Sequence, residues 1–374
     1  MSSLPETHRA LVLSSLSSPL EVKTIPTPTL LPGSAIIQIL STPILAYASK
    51  LYSGALNYPL HPPQTIGGGA IGRIVAVAND ATTLQTGQLV LVDPMVRGRD
   101  DPAKSILLGV HGGISEGAGR LMKRDDAWRD GSCAEFARWP LENVHVLDEV
   151  KLKALGYGAA ELAYLLRLLV PMGGVAELDV RAGERVVVAP ATGQFGGAAV
   201  EVALATGADV VICGRKRDVL ETMKRVLQPV YPAARIDVVQ LTGTVETDVA
   251  AIQAGGPVDK YIDFSPAAAA GSTHITSCIM SLKKGGKACF MGGIAGAVQI
   301  PYLLVMFNDL KICGKFMYER EGVKGLIKLV EGGRLRFELP ELKRFGLEEW
   351  EEGFKLAETK SGWREMVVFE PGQK

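Results

Sequence analysis

Residues Arg185–Lys216, RVVVAPATGQFGGAAVEVALATGADVVICGRK, read as one strand–turn–helix–strand unit. Arg185–Ala189 is a short β-branched run, as a strand buried on both faces requires. Thr192-Gly193-Gln194-Phe195-Gly196-Gly197 is a glycine-rich turn, after which Phe195, Ala199, Val202 and Ala205 recur at helical spacing. Gly207 stands just past that helix as a C-terminal cap, and Val210–Cys213 makes the second strand. In such a unit glycines let the backbone approach a pyrophosphate, whose charge rests on the free N–H groups of the helix. The first glycine of G-x-G-x-x-G falls here on Ala191 or Pro190, depending on alignment. Strand, turn, helix and strand in order still predict a dinucleotide site, with Thr192, Gly193, Gln194, Phe195 and Gly196 as contacts.

Which dinucleotide follows from the end of the second strand. A carboxylate there accepts hydrogen bonds from the ribose 2′-hydroxyl of NAD. This chain has Gly214-Arg215-Lys216-Arg217 instead, and three cations suit a 2′-phosphate. The expected cofactor is therefore NADP(H), held in part by Gly214, Arg215 and Lys216. The alternatives are a solvated basic turn and an Asp218 that swings back to a ribose.

At 374 residues the chain is long enough for two domains with separate cores. Forty Lys and Arg balance 40 Asp and Glu, so no net field attracts nucleic acid or an anionic membrane, and neither is expected as a partner. No N-terminal apolar run precedes a small-residue cleavage site, which sets the expectation of a cytoplasmic protein. The five scattered cysteines read as buried small hydrophobes rather than a disulfide framework.

Short strand-like runs such as Ala35–Leu40, Gly72–Val77 and Gln88–Val92, separated by Pro and Gly, fill the first 150 residues and predict a β-rich, barrel-like domain. A helical stretch, Gly158–Leu169, leads into alternating strands and helices. The strands are Arg185–Ala189, Val210–Cys213, Ile236–Gln240, Lys260–Phe264, Ala288–Met291 and Leu310–Gly314. Alternation of this kind implies a parallel sheet wound on both faces. The fold class is thus α/β: a β-barrel domain over residues 1–155 and 320–374, and a nucleotide-binding domain over 156–319. A helix near Gly322–Val330, an amphipathic stretch at Leu347–Thr359 and a strand at Glu365–Phe369 complete the chain.

With that architecture the chain resembles the medium-chain dehydrogenase/reductase superfamily, with its GroES-like N-terminal domain and its Rossmann domain. The matching segments are Gly67–Val77 (GGGAIGRIVAV), Thr86–Val92, Gly131–Phe136 (GSCAEF) before Val144-His145-Val146, Ala182–Gly197, Val258–Phe264 (VDKYIDF) and Gly285–Gly293 (GGKACFMGG). It is most similar to the zinc-free quinone-reductase and enoyl-reductase branch, including fungal members near biosynthetic clusters. Zinc-dependent members carry a Cys in the first β-domain loop, a His in Gly-His-Glu, and a Cys or acid near the domain junction. The corresponding stretches here are Pro43–Tyr47, Gly67-Gly68-Gly69 and Pro171-Met172-Gly173-Gly174. They offer no thiolate or imidazole, and Arg97–Asp130 has none of the four cysteines of the structural zinc lobe, so no metal is expected.

The resemblance implies hydride transfer to a conjugated acceptor, an α,β-unsaturated carbonyl or a quinone, in secondary metabolism. Donors aimed at the developing enolate oxygen would supply most of the stabilisation, each about 3 kcal/mol. Tyr58-Pro59 resembles the Tyr-Pro element of these relatives, so Tyr58 is the first candidate donor and Tyr47 the second; a packed wall with its hydroxyl in water is the alternative for each. Gly292 and Gly293 are expected beside the nicotinamide carboxamide and Ser265 at the carboxyl edge of its strand. The substrate class is a small apolar or aromatic conjugated carbonyl, and the expected assembly is a homodimer. Arg97–Asp130 reads either as a solvated excursion or as a lid, with His111, Met122 and Trp128 as residues that would face a ligand. A zinc-free carbonyl or alcohol dehydrogenase and a non-catalytic NADP(H)-binding protein remain as alternatives.

Overall fold

A computed structural model describes residues 4–113, 115–123 and 128–373. The chain divides into two compact units. One holds the chain up to Leu166 with Glu338–Ser361 and Glu365 onward, the other Arg167–Phe337 with Gly362–Arg364.

The second unit is built on the strand at Arg185–Ala189, all five residues of which are buried. Val210–Ile212 lie in parallel register on one side of it and Lys260–Asp263 on the other. The full six-stranded sheet runs Ile236–Gln240, Asp209–Gly214, Arg185–Ala189, Val258–Asp263, Leu282–Phe290, Lys311–Gly314. In chain order this is 3-2-1-4-5-6, the arrangement of a doubly wound Rossmann sheet, with its reversal at Arg185–Ala189. Helices Gln194–Ala205, Arg217–Leu227, Val245–Gln253 and His274–Met280 connect the strands. Val187, Val211, Tyr261, Ile279 and Ala288 are among the residues of the core.

The first unit is a GroES-like β-barrel. Ser34–Pro43 pairs antiparallel with both Ala70–Val77 and Phe136–Pro140, and Leu20–Pro26, Thr7–Leu13 and Gln64–Thr65 form a further sheet. The C-terminal strand Val367–Phe369 rejoins it, Val368 opposite Pro43 and Phe369 opposite Thr42. Inside are Ile37, Ile39, Ile74, Val90, Val92 and Trp139.

The expected boundaries move. Ala159–Leu162 packs against Ser34–Pro43 and Ala70–Val77, and Leu166 lies against Gly69, so the first unit extends past 155. At the other end, helix Arg320–Glu331 buries Val323, Leu326 and Val330 and sets Gly322 and Gly325 against Met172, so the return begins at 338 rather than 320. Pro171–Gly174 lies within helix Leu165–Glu177, where Pro171 removes one internal hydrogen bond. Ala159–Glu177 is apolar and long enough to cross a membrane by length and composition alone, but 67% of its apolar window is buried within the protein.

Arg97–Asp130 is not a simple solvated excursion. Met95–Arg97 and Ser105–Leu107 form a hairpin, and Ile106, Leu108, Ala118 and Met122 join the barrel core. Isolated apolar residues among glycines and charges find cover without any regular period, and for that reason the sequence reads as polar.

A Cβ on residue 173 would stand 2.1 Å from the Met317 carbonyl oxygen, backbone that cannot yield cheaply. Gly173→Ala is expected to cost at least about 2 kcal/mol by overpacking, read as a lowered urea midpoint with unchanged slope.

Candidate nucleotide cradle and tyrosine cluster

Two glycines divide the work at the turn of the second unit. A Cβ on Gly196 would lie 2.0 Å from the Pro190 carbonyl oxygen, so only glycine lets the helix start against the end of the strand. Gly193 is the opposite case: nothing stands within 4 Å of its Cβ position, and its backbone is open where a ligand would approach. Its carbonyl accepts from the Gly197 N–H at 2.8 Å, so the amides just before Gly197 have no acceptor within the helix. Thr192 lays its methyl against Gly214, bringing the turn and the end of the second strand together. The Phe195 ring points elsewhere, stacked on Phe264 at 6.3 Å with the Arg167 guanidinium 5.8 Å over it.

Beyond buried Gly214, Arg215 and Lys216 are exposed. Gln240 donates to the Arg215 carbonyl at 3.2 Å, and Arg217 pairs with Glu221 at 3.1 Å. Asp218 sits in the first turn of the next helix, where a carboxylate is favourable for the helix itself.

Ser265 is 1% exposed and its hydroxyl is committed internally. It donates to Asp263 Oδ1, which also accepts from the Tyr261 hydroxyl at 2.9 Å. Having one proton, Ser265 Oγ must accept from His274 Nε2 at 2.7 Å, and His274 Nδ1 hydrogen-bonds with Ser272 Oγ at 2.8 Å. What Ser265 gives the site is its carbonyl, which accepts from the Gly293 N–H at 2.8 Å. Gly292 is pressed against Ser265 and Asp263, whereas Gly293 faces open space. The predicted residues 192–196, 214–216, 265 and 292–293 therefore all lie in one unit. Asp263 lies in the Val258–Phe264 segment but was not singled out there, and His274 carries no motif signal; both emerge as site residues from this network.

In the first unit, Tyr47 and Tyr58 pack against one apolar cluster that includes Leu51, Tyr52 and Val110. Tyr58 is half-buried and meets the His111 ring edge-on at 4.6 Å. The Gly113 N–H donates to His111 Nδ1 at 2.9 Å, which places the proton of the neutral ring on Nε2. Of the three residues expected to face a ligand, His111 alone stands beside Tyr58; Met122 is 1% exposed in the barrel core, and Trp128 packs against that same core. Tyr52, buried, accepts from the Gly67 N–H at 3.0 Å and donates to the Gly109 carbonyl at 3.1 Å. Burial pushes its phenol well up. It ties down the Gly67 loop, which Gly109 and Gly131 approach too closely to allow a side chain on either.

No family model and no curated protein matches this chain. Solved structures do. The crystal structure of AibC is similar with a TM-score of 0.79 at 19% identity, covering 98% of this chain and 97% of its own. A zinc-binding dehydrogenase of Sinorhizobium meliloti 1021 bound to NADP gives 0.75 at 18%, covering 98% and 100%. An alcohol dehydrogenase of E. coli CFT073 complexed with NADH gives 0.75 at 17%, covering 98% and 100%. The chain has the fold of these structures. At such identities the fold is what is shared.

Burial holds the imidazoles of His8 and His111 below their ordinary value of 6.5. The unfolded chain then binds their protons first, so the stability they contribute is present above 6.5 and lost as pH falls below it. The urea midpoint should fall between about pH 7.5 and about 5.5, and His111→Asn, which keeps an acceptor for Gly113, should flatten that fall.

Proposed function

We propose that the protein is an NADP(H)-dependent, zinc-independent oxidoreductase of the medium-chain dehydrogenase/reductase superfamily, reducing an α,β-unsaturated carbonyl or a quinone. The carrying observation is the Gly193 turn, open above its Cα, at the point where the order of the parallel sheet reverses. Thr192–Gly196 would hold the pyrophosphate, Gly292 and Gly293 the nicotinamide end, and Arg215 and Lys216 a ribose 2′-phosphate. Bound there, the dinucleotide supplies the hydride.

A catalytic zinc does not fit the residues present. Pro43–Tyr47, Gly67–Gly69 and Pro171–Gly174 contain no thiol, imidazole or carboxylate, and the described residues contain no group of three His, Cys, Asp or Glu suited to a metal. Charge on the acceptor oxygen then falls to hydrogen-bond donors. Tyr58 is the first such donor and Tyr47 the second, both on the wall formed by their shared apolar cluster. That wall suits a small apolar or aromatic substrate. A second reading, reduction of a simple ketone, is favoured by His111 beside Tyr58, since an imidazole at a phenol offers a route for the proton.

The proposal includes a cytoplasmic homodimer. The strand Lys311–Gly314 is the last of its sheet, and Tyr302 and Phe307 near it are 79% and 67% exposed. An unpaired edge beside apolar side chains suits pairing with a second copy.

Oxidation of NADPH and NADH followed at 340 nm, with enones, quinones and ketones in parallel, tests the reading. Chelator-insensitive turnover of enones or quinones with NADPH is expected; turnover of ketones alone selects the second reading, and NADPH binding without any turnover selects a non-catalytic binder. Exchanging both cations, Arg215→Ser with Lys216→Ser, is expected to raise KM for NADPH by about tenfold or more while leaving NADH unaffected. Tyr58→Phe is expected to lower kcat by about a hundredfold with KM for NADPH unchanged.

A further inference from the structure

Helix Gln194–Ala205 is apolar along its interior except at Glu201, whose side chain is fully buried. An unpaired carboxylate there would be strongly destabilising. Its partner comes from 163 positions further along the chain: Arg364 donates to Glu201 Oε1 through Nε at 2.9 Å and Nη2 at 2.6 Å. Trp363 Nε1 donates to Oε2 at 3.1 Å, and the Arg364 guanidinium lies 4.6 Å over the Trp363 ring. Arg364 also donates to the Arg336 carbonyl at 3.3 Å and holds a left-handed backbone, φ 59°, that an ordinary side chain adopts only under constraint.

The same short segment grips the glycine turn. The Trp363 N–H donates to the Thr192 carbonyl at 3.1 Å, and Gly193 and Gly362 form an isolated antiparallel bridge. The Trp363 ring takes the space that a side chain on Gly197 would need, Cδ1 standing 2.3 Å from that Cβ position. Gly362–Arg364 belongs to this unit although the chain on either side of it belongs to the other.

We infer that Gly362–Arg364 is a clasp that pre-sets the Thr192–Gly193 peptide for a dinucleotide, with Trp363, Arg364 and Glu201 as positioning residues; this rests on the nucleotide-binding reading above. A glycine turn left to itself samples many conformations, and ordering it at the moment of binding weakens affinity. The clasp fixes one edge of the turn from the folded protein and leaves the Gly193 Cα open on the other. Nε and Nη2 of Arg364 are given to Glu201 and Arg336, so the guanidinium acts on the ligand through the turn.

The test measures NADPH affinity by fluorescence titration of the full-length protein, thermal stability, and hydrogen–deuterium exchange of residues 192–197 without nucleotide. Glu201→Gln with Arg364→Gly removes both charges together and puts glycine at the left-handed position, so no buried charge is stranded. This variant is expected to melt within about 5 °C of the parent, exchange faster at 192–197, and raise the NADPH Kd roughly tenfold. Trp363→Phe keeps the ring over Gly197 and should stay within about threefold of the parent Kd. Should the double variant not fold, Trp363→Ala carries the same expectation with the ion pair intact. A folded variant with parental exchange and parental Kd overturns the clasp. If the parent protein binds no NADPH, the nucleotide reading falls, and parental exchange at 192–197 in the variant still overturns the clasp on its own.

Discussion

The second unit depends on how closely a helix can start against the end of a parallel strand. With 2.0 Å between the Pro190 carbonyl oxygen and the Cβ position of residue 196, the two backbones meet with nothing between them. That contact aims the N-terminus of Gln194–Ala205 at the reversal of the sheet, where peptide N–H groups without helical acceptors accumulate. Everything assigned to nucleotide recognition surrounds that point: the open Gly193, Gly214 under Thr192, and the Ser265–Gly293 hydrogen bond across the neighbouring strand ends.

Polar groups buried around these loops act as fasteners rather than as reagents. Asp263, Ser265 and His274 form a buried hydrogen-bonded chain, and it holds the Gly292–Gly293 backbone against the strand that ends at Asp263. Glu201 with Arg364 does the same for the glycine turn, and Tyr52 with Gly67 and Gly109 for the loop of the barrel. In each case a hydrogen-bonding group sits where an apolar one would pack, and the satisfied network fixes a loop whose own sequence is mostly glycine. The donor role proposed for Tyr58 would gain from such fixing, because a donor stabilises developing charge only if it is already in place.

How much of this was legible in the residues varies with the range of the interaction. The strand–turn–helix–strand unit, the later strands of the sheet and the C-terminal strand all follow from local periodicity and glycine placement, because each is specified within a few residues. The strand expected over Ala288–Met291 runs Leu282–Phe290, since its polar first half, Lys283–Gly286, hides the period. Arg97–Asp130 misled for the same reason, with Leu108, Ala118 and Met122 buried singly. Glu201 was the available signal of the clasp, a carboxylate among Ala198, Ala199, Val200, Val202 and Ala203.

The sequence by itself therefore determined the α/β class, the parallel sheet, and the glycine turn at its reversal, because hydrophobic period and glycine position act over one or two elements. Only the tertiary structure decided that Met122 is core and His111 a neighbour of Tyr58, that Ser265 offers a carbonyl instead of a hydroxyl, and that Arg364 answers Glu201. Those outcomes join residues tens to hundreds of positions apart. They are settled by burial, which makes an unpaired polar group costly and so forces partners that no local pattern records.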